Sequence, residues 1–128
     1  MIVVDTSALL AIILREPGHE RATASILAAE AKTLPASVLL EAVMVLSRFE
    51  TDPRSTIDAH VASLGLGATP IDAEIVRVAQ QAFLTFGKGR HPARLNFGDC
   101  QSYATAKYLR APLLYVGNDF AQTDIRAA

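Results

Sequence analysis

Ile2-Val3-Val4-Asp5-Thr6-Ser7-Ala8-Leu9 is the stretch that decides the fold. Its first three residues are β-branched and apolar on both faces, the pattern of a short strand buried on two sides. Asp5 ends that strand, and Thr6-Ser7 open an apolar segment, Ala8 to Leu14, that stops near Pro17-Gly18. Outward from there, short β-branched runs alternate with longer amphipathic ones. Gly18 to Lys32 is alanine-rich and charged and reads as a second helix. Thr33-Leu34-Pro35-Ala36-Ser37 reads as a strand whose proline, lacking an N–H, points to a sheet edge or a strand end. Val38 to Phe49 is helical, with Leu39, Ala42, Val43 and Leu46 at the i, i+3, i+4 and i+7 positions. Pro53 suits the start of another helix, running to about Leu64, and Gly67 to Ile71 is a short third strand. Ile75, Val78, Ala79, Ala82, Phe83 and Phe86 fall on one helical stripe with Asp72 placed to cap it. Asn96 precedes a helix from about Phe97 to Leu109, and Pro112 to Val116 is a last strand, ended by Gly117-Asn118. Strands alternating with helices predict an α/β fold, a three-layer α/β/α sandwich around a parallel sheet.

Composition bounds the function classes. The chain has 128 residues, 51% hydrophobic and 20% charged, which excludes intrinsic disorder and suits one domain over residues 1–128. The longest apolar run, Ala8 to Leu14, is seven residues, well short of the ~20 of a membrane span. The first residues carry no basic region and include Asp5, which speaks against a signal peptide and for a cytoplasmic protein. Cys100 is the single cysteine, so an intramolecular disulfide and a cysteine-rich zinc cage are both excluded. A net charge of −1 gives no global attraction for polyanions, so nucleic-acid contact requires a local basic patch. One exists: Lys88, Arg90, His91 and Arg94 lie within the irregular loop from Gly87 to Arg94.

The informative residues are carboxylates beside apolar segments. Asp5 and Asp119 follow strands, Glu41 sits inside Val38-Leu39-Leu40-Glu41-Ala42-Val43, and Asp99 lies in a helix's first turn. In an open α/β sheet, groups beyond the carboxyl ends of the strands converge on one crevice. Carboxylates gathered there without a cation repel each other and are driven toward protonation, and a divalent metal removes that penalty. Mg²⁺ takes oxygen ligands and keeps several waters, so few carboxylates suffice for phosphoryl chemistry. Each acid also has a plain structural use: Asp5 as a helix cap, Asp99 as the acid of a capped first turn after Asn96, Asp119 as a turn residue. Glu41, among aliphatics, is the hardest to explain structurally. Gly87-Lys88-Gly89 is neither a P-loop nor a dinucleotide fingerprint, and Cys100 reads as packing rather than a nucleophile.

Taken together, these residues resemble the PIN-domain ribonucleases, and specifically the VapC toxins of bacterial type II toxin–antitoxin pairs. Ile2 to Leu9 is similar to the family's strand-to-helix opening, with its metal-binding acid at Asp5. Glu41 corresponds to the second acid. Asp99 corresponds to the third, at the end of the long segment Gly87-Lys88-Gly89-Arg90-His91-Pro92-Ala93-Arg94-Leu95-Asn96-Phe97-Gly98-Asp99-Cys100. The resemblance spans the chain as far as Asp119-Phe120 and Thr123-Asp124-Ile125. It departs at Gly117, where many relatives carry a further acid, so that either Asp119 serves as the fourth ligand or that ligand is absent.

The resemblance implies endonucleolytic RNA cleavage dependent on Mg²⁺ or Mn²⁺, by metal-activated water, leaving a 5′-phosphate and a 3′-hydroxyl. It implies Asp5 and Asp99 as the main metal ligands, Glu41 orienting water, Asp119 assisting, and Ser7 hydrogen-bonding in the site. It also implies a VapB-type antitoxin and a homodimer of toxins. Lys88, Arg90, His91 and Arg94 are the candidates for holding flanking phosphates. Two rivals come from the residues themselves. One is a PIN-like module that binds RNA or a partner without cutting. The other is a phosphatase using Asp5 as nucleophile, which normally wants a second acid where this chain has Ser7.

Overall fold

The computed structural model describes residues 1–128 throughout. Four parallel strands form the sheet: β1 (Ile2–Val4), β2 (Lys32–Pro35), β3 (Gly67–Thr69) and β4 (Leu113–Leu114), in the order β3-β2-β1-β4. The helices are α1 (Thr6–Leu14), α2 (His19–Ala28), α3 (Ala36–Leu46), α4 (Pro53–Leu64), α5 (Ala73–Phe86) and α6 (Phe97–Tyr108). β1 lies between β2 and β4, with Val3 opposite both Thr33 and Leu113. Successive strand residues face opposite sides of a sheet. Accordingly Val4 joins one core with Ala8, Leu9, Leu34, Val38, Leu46 and Ile57, while Val3 joins a second with Ala82, Leu95, Tyr103, Leu113 and Phe120. The first core is covered by α1 to α4 and the second by α5 and α6, which makes the three layers.

Several expected boundaries shift. The helix expected over Gly18 to Lys32 is His19–Ala28, and Lys32 begins β2, pairing with Ile2. Pairing with the central strand overrides the helical preference of this alanine-rich segment. The Lys32 ammonium then donates at 3.0 Å to the Ile26 carbonyl, which also accepts from the Ala29 amide at the end of α2. Of the two places allowed for Pro35, the structure takes the strand end: β2 is interior, and Pro35 is its last residue and the start of the turn into α3. Helix α3 begins at Ala36 and stops at Leu46, earlier at both ends than expected. The last strand is only Leu113–Leu114, and the chain's end extends this edge: Leu113 N–H donates to the Arg126 carbonyl, and Ala128 N–H to that of Leu113. No helix is long and apolar enough to cross a membrane.

The sheet order places the switch point at the carboxyl end of β1. From β1 the chain proceeds to β2 on one side and later returns through β4 on the other, leaving a crevice above the strand ends. Asp5 directly follows β1, α3 directly follows β2, and the loop carrying Asp119 directly follows β4.

Candidate active site

Asp5 is 4% exposed and caps α1. One carboxyl oxygen, Oδ2, accepts from the Ser7 amide at 3.0 Å and from the Ser7 hydroxyl at 2.7 Å. Ser7 Oγ also accepts from the Val116 amide at 3.0 Å, so the residues just after β4 are tied to the acid that follows β1. A buried carboxylate is tolerated only with such partners.

Glu41 lies in the second turn of α3, and the Thr6 hydroxyl donates to its Oε1. Neighbouring residues on the β1–α1 junction therefore hold one acid and supply another. On its other side Glu41 meets Gly98, where a Cβ would overlap the carboxylate. Glycine inside a helix costs about 1 kcal/mol relative to alanine, and here the backbone must approach the acid closely. The Glu41–Gly98 contact brings α3 against the N-terminal turn of α6.

Asp99 sits in that turn within a reciprocal cap. The Asn96 side chain accepts from the Asp99 amide at 2.8 Å, and Asp99 Oδ2 accepts from the Asn96 amide at 3.1 Å. The Asp99 pKa is nevertheless pushed up from 3.8 to about 7. Burial is the largest cause, opposed by the Asn96 amide, and the negative charges of Asp5, Asp119 and Glu41 add to the rise. Those three acids are the charges acting on it, and none of the loop cations is among them. The four carboxylates thus share one electrostatic neighbourhood, although no three of them stand close enough to grip a single ion without adjustment.

Asp119 is exposed, on the loop after β4. Gly117, two residues earlier, has φ +101°, a conformation that L side chains rarely adopt. An aspartate at this position would be strained in the backbone turn that the chain adopts.

The basic loop is a compact flap. Lys88 N–H donates to the Leu95 carbonyl and Leu95 N–H to that of Phe86, closing the loop at its base. Arg90 stacks its guanidinium 5.6 Å from the Phe83 ring, and His91 meets Phe86 edge-on at 5.1 Å. The Ala93 amide donates to His91 Nδ1 at 3.0 Å. Lys88, Arg90 and Arg94 are exposed and form no salt bridge within the chain. Their concavity, about 500 Å³, is lined by loop residues alone. A larger apolar hollow of about 710 Å³ lies between α5 and α6, lined by Val76, Phe83, Phe97 and Cys100 among others. Cys100 itself is buried, and burial with the nearby Asp99 charge pushes its thiol up to about 11, which disqualifies it as a nucleophile.

The PIN domain family model matches residues 2–126. Ribonuclease VapC36 of Mycobacterium tuberculosis is 43% identical over 125 residues, covering 96% of this chain and 90% of the relative. The chain belongs to the VapC family of PIN domains. Ribonuclease VapC of Mycolicibacterium smegmatis is 37% identical to this PIN domain over 126 residues, with 98% of each covered. Among solved structures, Mycobacterium tuberculosis VapC20, a sarcin-ricin loop cleaving toxin, superposes on it with a TM-score of 0.76 at 18% identity, covering 100% of this chain and 98% of that one. VapBC2 from Rickettsia felis, solved bound to a DNA fragment from their promoter, gives 0.77 at 15% identity with 99% and 96% covered. At those identities the likeness is one of fold.

Two residues of this PIN domain site escape a reading of the sequence. Thr6 looks like part of a helix start, and nothing in its position announces that its hydroxyl holds Glu41. Gly98 did carry a signal, since a glycine next to an acid in a helix's first turn marks a close approach.

Proposed function

We propose that this chain is a divalent-metal-dependent endoribonuclease, the toxin of a VapBC-type pair, that cuts RNA in the cytoplasm. The observation that supports this most directly is Asp99. Its pKa is held at about 7 by burial and by three acids from separate segments, with no cation answering them. All four donors are hard carboxylate oxygens, the set that suits Mg²⁺ or Mn²⁺. In this reading Asp5 and Asp99 hold the ion, Asp119 assists, and the whole domain, residues 1–128, carries the activity.

When bound, the ion supplies an acidified water and charge stabilisation at the scissile phosphate. The chain's own residues do the rest. Ser7 fixes the Asp5 carboxylate through two hydrogen bonds to one oxygen, leaving the other free for the site. Thr6 orients Glu41, which positions the attacking water. Lys88, Arg90, His91 and Arg94 hold flanking phosphates that the carboxylates would repel, and Lys88, Arg90 and Arg94 form no salt bridge within the fold. A VapB-type antitoxin covers the crevice, and the toxin acts as a homodimer.

The test is cleavage of cellular RNA by the purified protein with Mg²⁺ or Mn²⁺, with chelator and with Asp5→Asn as controls. Cutting that persists in excess chelator rejects the metal mechanism, and cutting that persists in Asp5→Asn rejects the site.

A further inference from the structure

The loop that carries Asp119 is fastened at both ends. Its start is held by the Val116 amide donating to Ser7 Oγ at 3.0 Å, which links it to Asp5. Its end is held by Asp124, whose carboxylate is shared between two residues of α6. The Tyr103 hydroxyl donates to Asp124 Oδ1 at 2.6 Å, and the Lys107 ammonium donates to Oδ2 at 2.9 Å. Lys107 also lies 5.6 Å from the Tyr103 ring centre, so the three groups form a closed triangle. Tyr103 is 7% exposed, and a buried phenol requires a partner for its hydroxyl. Asp124 meets that need, with the Tyr103 hydroxyl the chief reason its carboxyl lies below the ordinary value.

Spacing turns this triangle into more than a tail anchor. Tyr103 is one helical turn beyond Asp99, and Lys107 one turn beyond Tyr103, so all three share a face of α6. Between the two fastenings, Phe120 is buried to 1% exposure and its ring lies tilted against Tyr115, 5.1 Å between centres. Asp119 precedes Phe120 directly. The geometry points to Asp124, Tyr103 and Lys107 as a positioning clamp that sets the Asp119 carboxylate against the α6 helix bearing Asp99. The clamp rests on the acid-site reading proposed above, and it explains how an exposed loop acid is kept in register with the other three.

The clamp is tested with Mn²⁺ alone as the probe, by calorimetry on the full chain, together with amide hydrogen exchange of residues 116–124. Tyr103→Phe keeps the buried ring and removes one hydroxyl. Asp124→Ala, on an exposed residue, removes both bonds. Each is expected to speed exchange in the loop and to weaken Mn²⁺ binding by roughly tenfold, the lower end for a residue acting behind a ligand. Asp119→Asn should weaken binding comparably, and Tyr103→Phe in that background should add nothing, because its effect passes through Asp119. Loop exchange unchanged by either variant overturns the clamp. So does a Tyr103→Phe loss that adds in full to that of Asp119→Asn, the behaviour of a merely structural contact. If the wild-type chain binds Mn²⁺ and the variants bind it equally well, the clamp alone fails. If the wild-type chain neither binds Mn²⁺ nor cuts RNA, the acid-site reading fails, and the clamp falls with it.

Discussion

Replacing Asp99 by asparagine should make the metal-free protein more stable while destroying its activity. Moving this carboxyl from its ordinary 3.8 to about 7 corresponds, at about 1.4 kcal/mol per pH unit, to a ceiling of about 4 kcal/mol held against the ionised form. The side chain is only partly buried, so water offsets part of both the desolvation and the repulsion, and roughly 2 kcal/mol is the expected effect. Asparagine keeps an oxygen for the Asn96 amide, so the helix start survives. The direction with pH follows from which state binds the proton more tightly. The folded form does, so the wild-type chain loses this contribution to its stability as pH rises from about 4 through 7. Urea unfolding in chelator, followed by circular dichroism, should therefore show Asp99→Asn ahead by roughly 2 kcal/mol at pH 8 and by less than half of that at pH 5. Saturating Mn²⁺ should reverse the order, since ligand at a hundred times its dissociation constant stabilises the wild type by about 2.7 kcal/mol. A variant less stable than wild type at pH 8 in chelator, or a gain that does not shrink at pH 5, refutes the claim that burial and the neighbouring acids disfavour the ionised Asp99 carboxylate.

Other substitutions probe the remaining contacts. Gly98→Ala should leave the urea midpoint unchanged or raised, because alanine favours the helix by about 1 kcal/mol and the Glu41 side chain can swing away. RNA cleavage by the same variant should fall at least tenfold, and full activity would show that the Glu41 position does not matter. Thr6→Val removes the hydroxyl that holds Glu41 and should reduce turnover more than RNA affinity, read by comparing single-turnover rates with binding titrations. Charge removal at Arg90 and Arg94 together should flatten the slope of log affinity against log salt by about 1.4, at about 0.7 per phosphate on single strands. An unchanged slope would return that loop to a purely structural role.

How much of this was legible in the residues depends on the range of the interaction. Asp72 and Asn96 announced their helices because caps are local, and both accept from the amide three residues on. The layer assignment was equally local, since alternation along Ile2-Val3-Val4 already sends Val3 and Val4 to opposite cores. Lys32 reads as helical in the sequence because its strand exists only through pairing with Ile2, thirty residues away, and no window of neighbours contains that contact. The same holds at the site. The four acids were visible as acids in apolar places, whereas Thr6 reaching Glu41 and Tyr103 reaching Asp124 are long-range contacts between residues that look ordinary alone. The φ of +101° at Gly117 is likewise a property of the folded turn that its neighbours in sequence do not announce.

Asp5 and Asp99 have a trait in common that constrains what either position can accept. In each, a single carboxyl oxygen serves the architecture, as a helix-starting acceptor, and its twin is left uncommitted. One short side chain thus does two jobs through a rigid two-atom fork. Glutamate, longer by a methylene, could keep the charge but not both placements at once, so these sites should tolerate no acid other than aspartate.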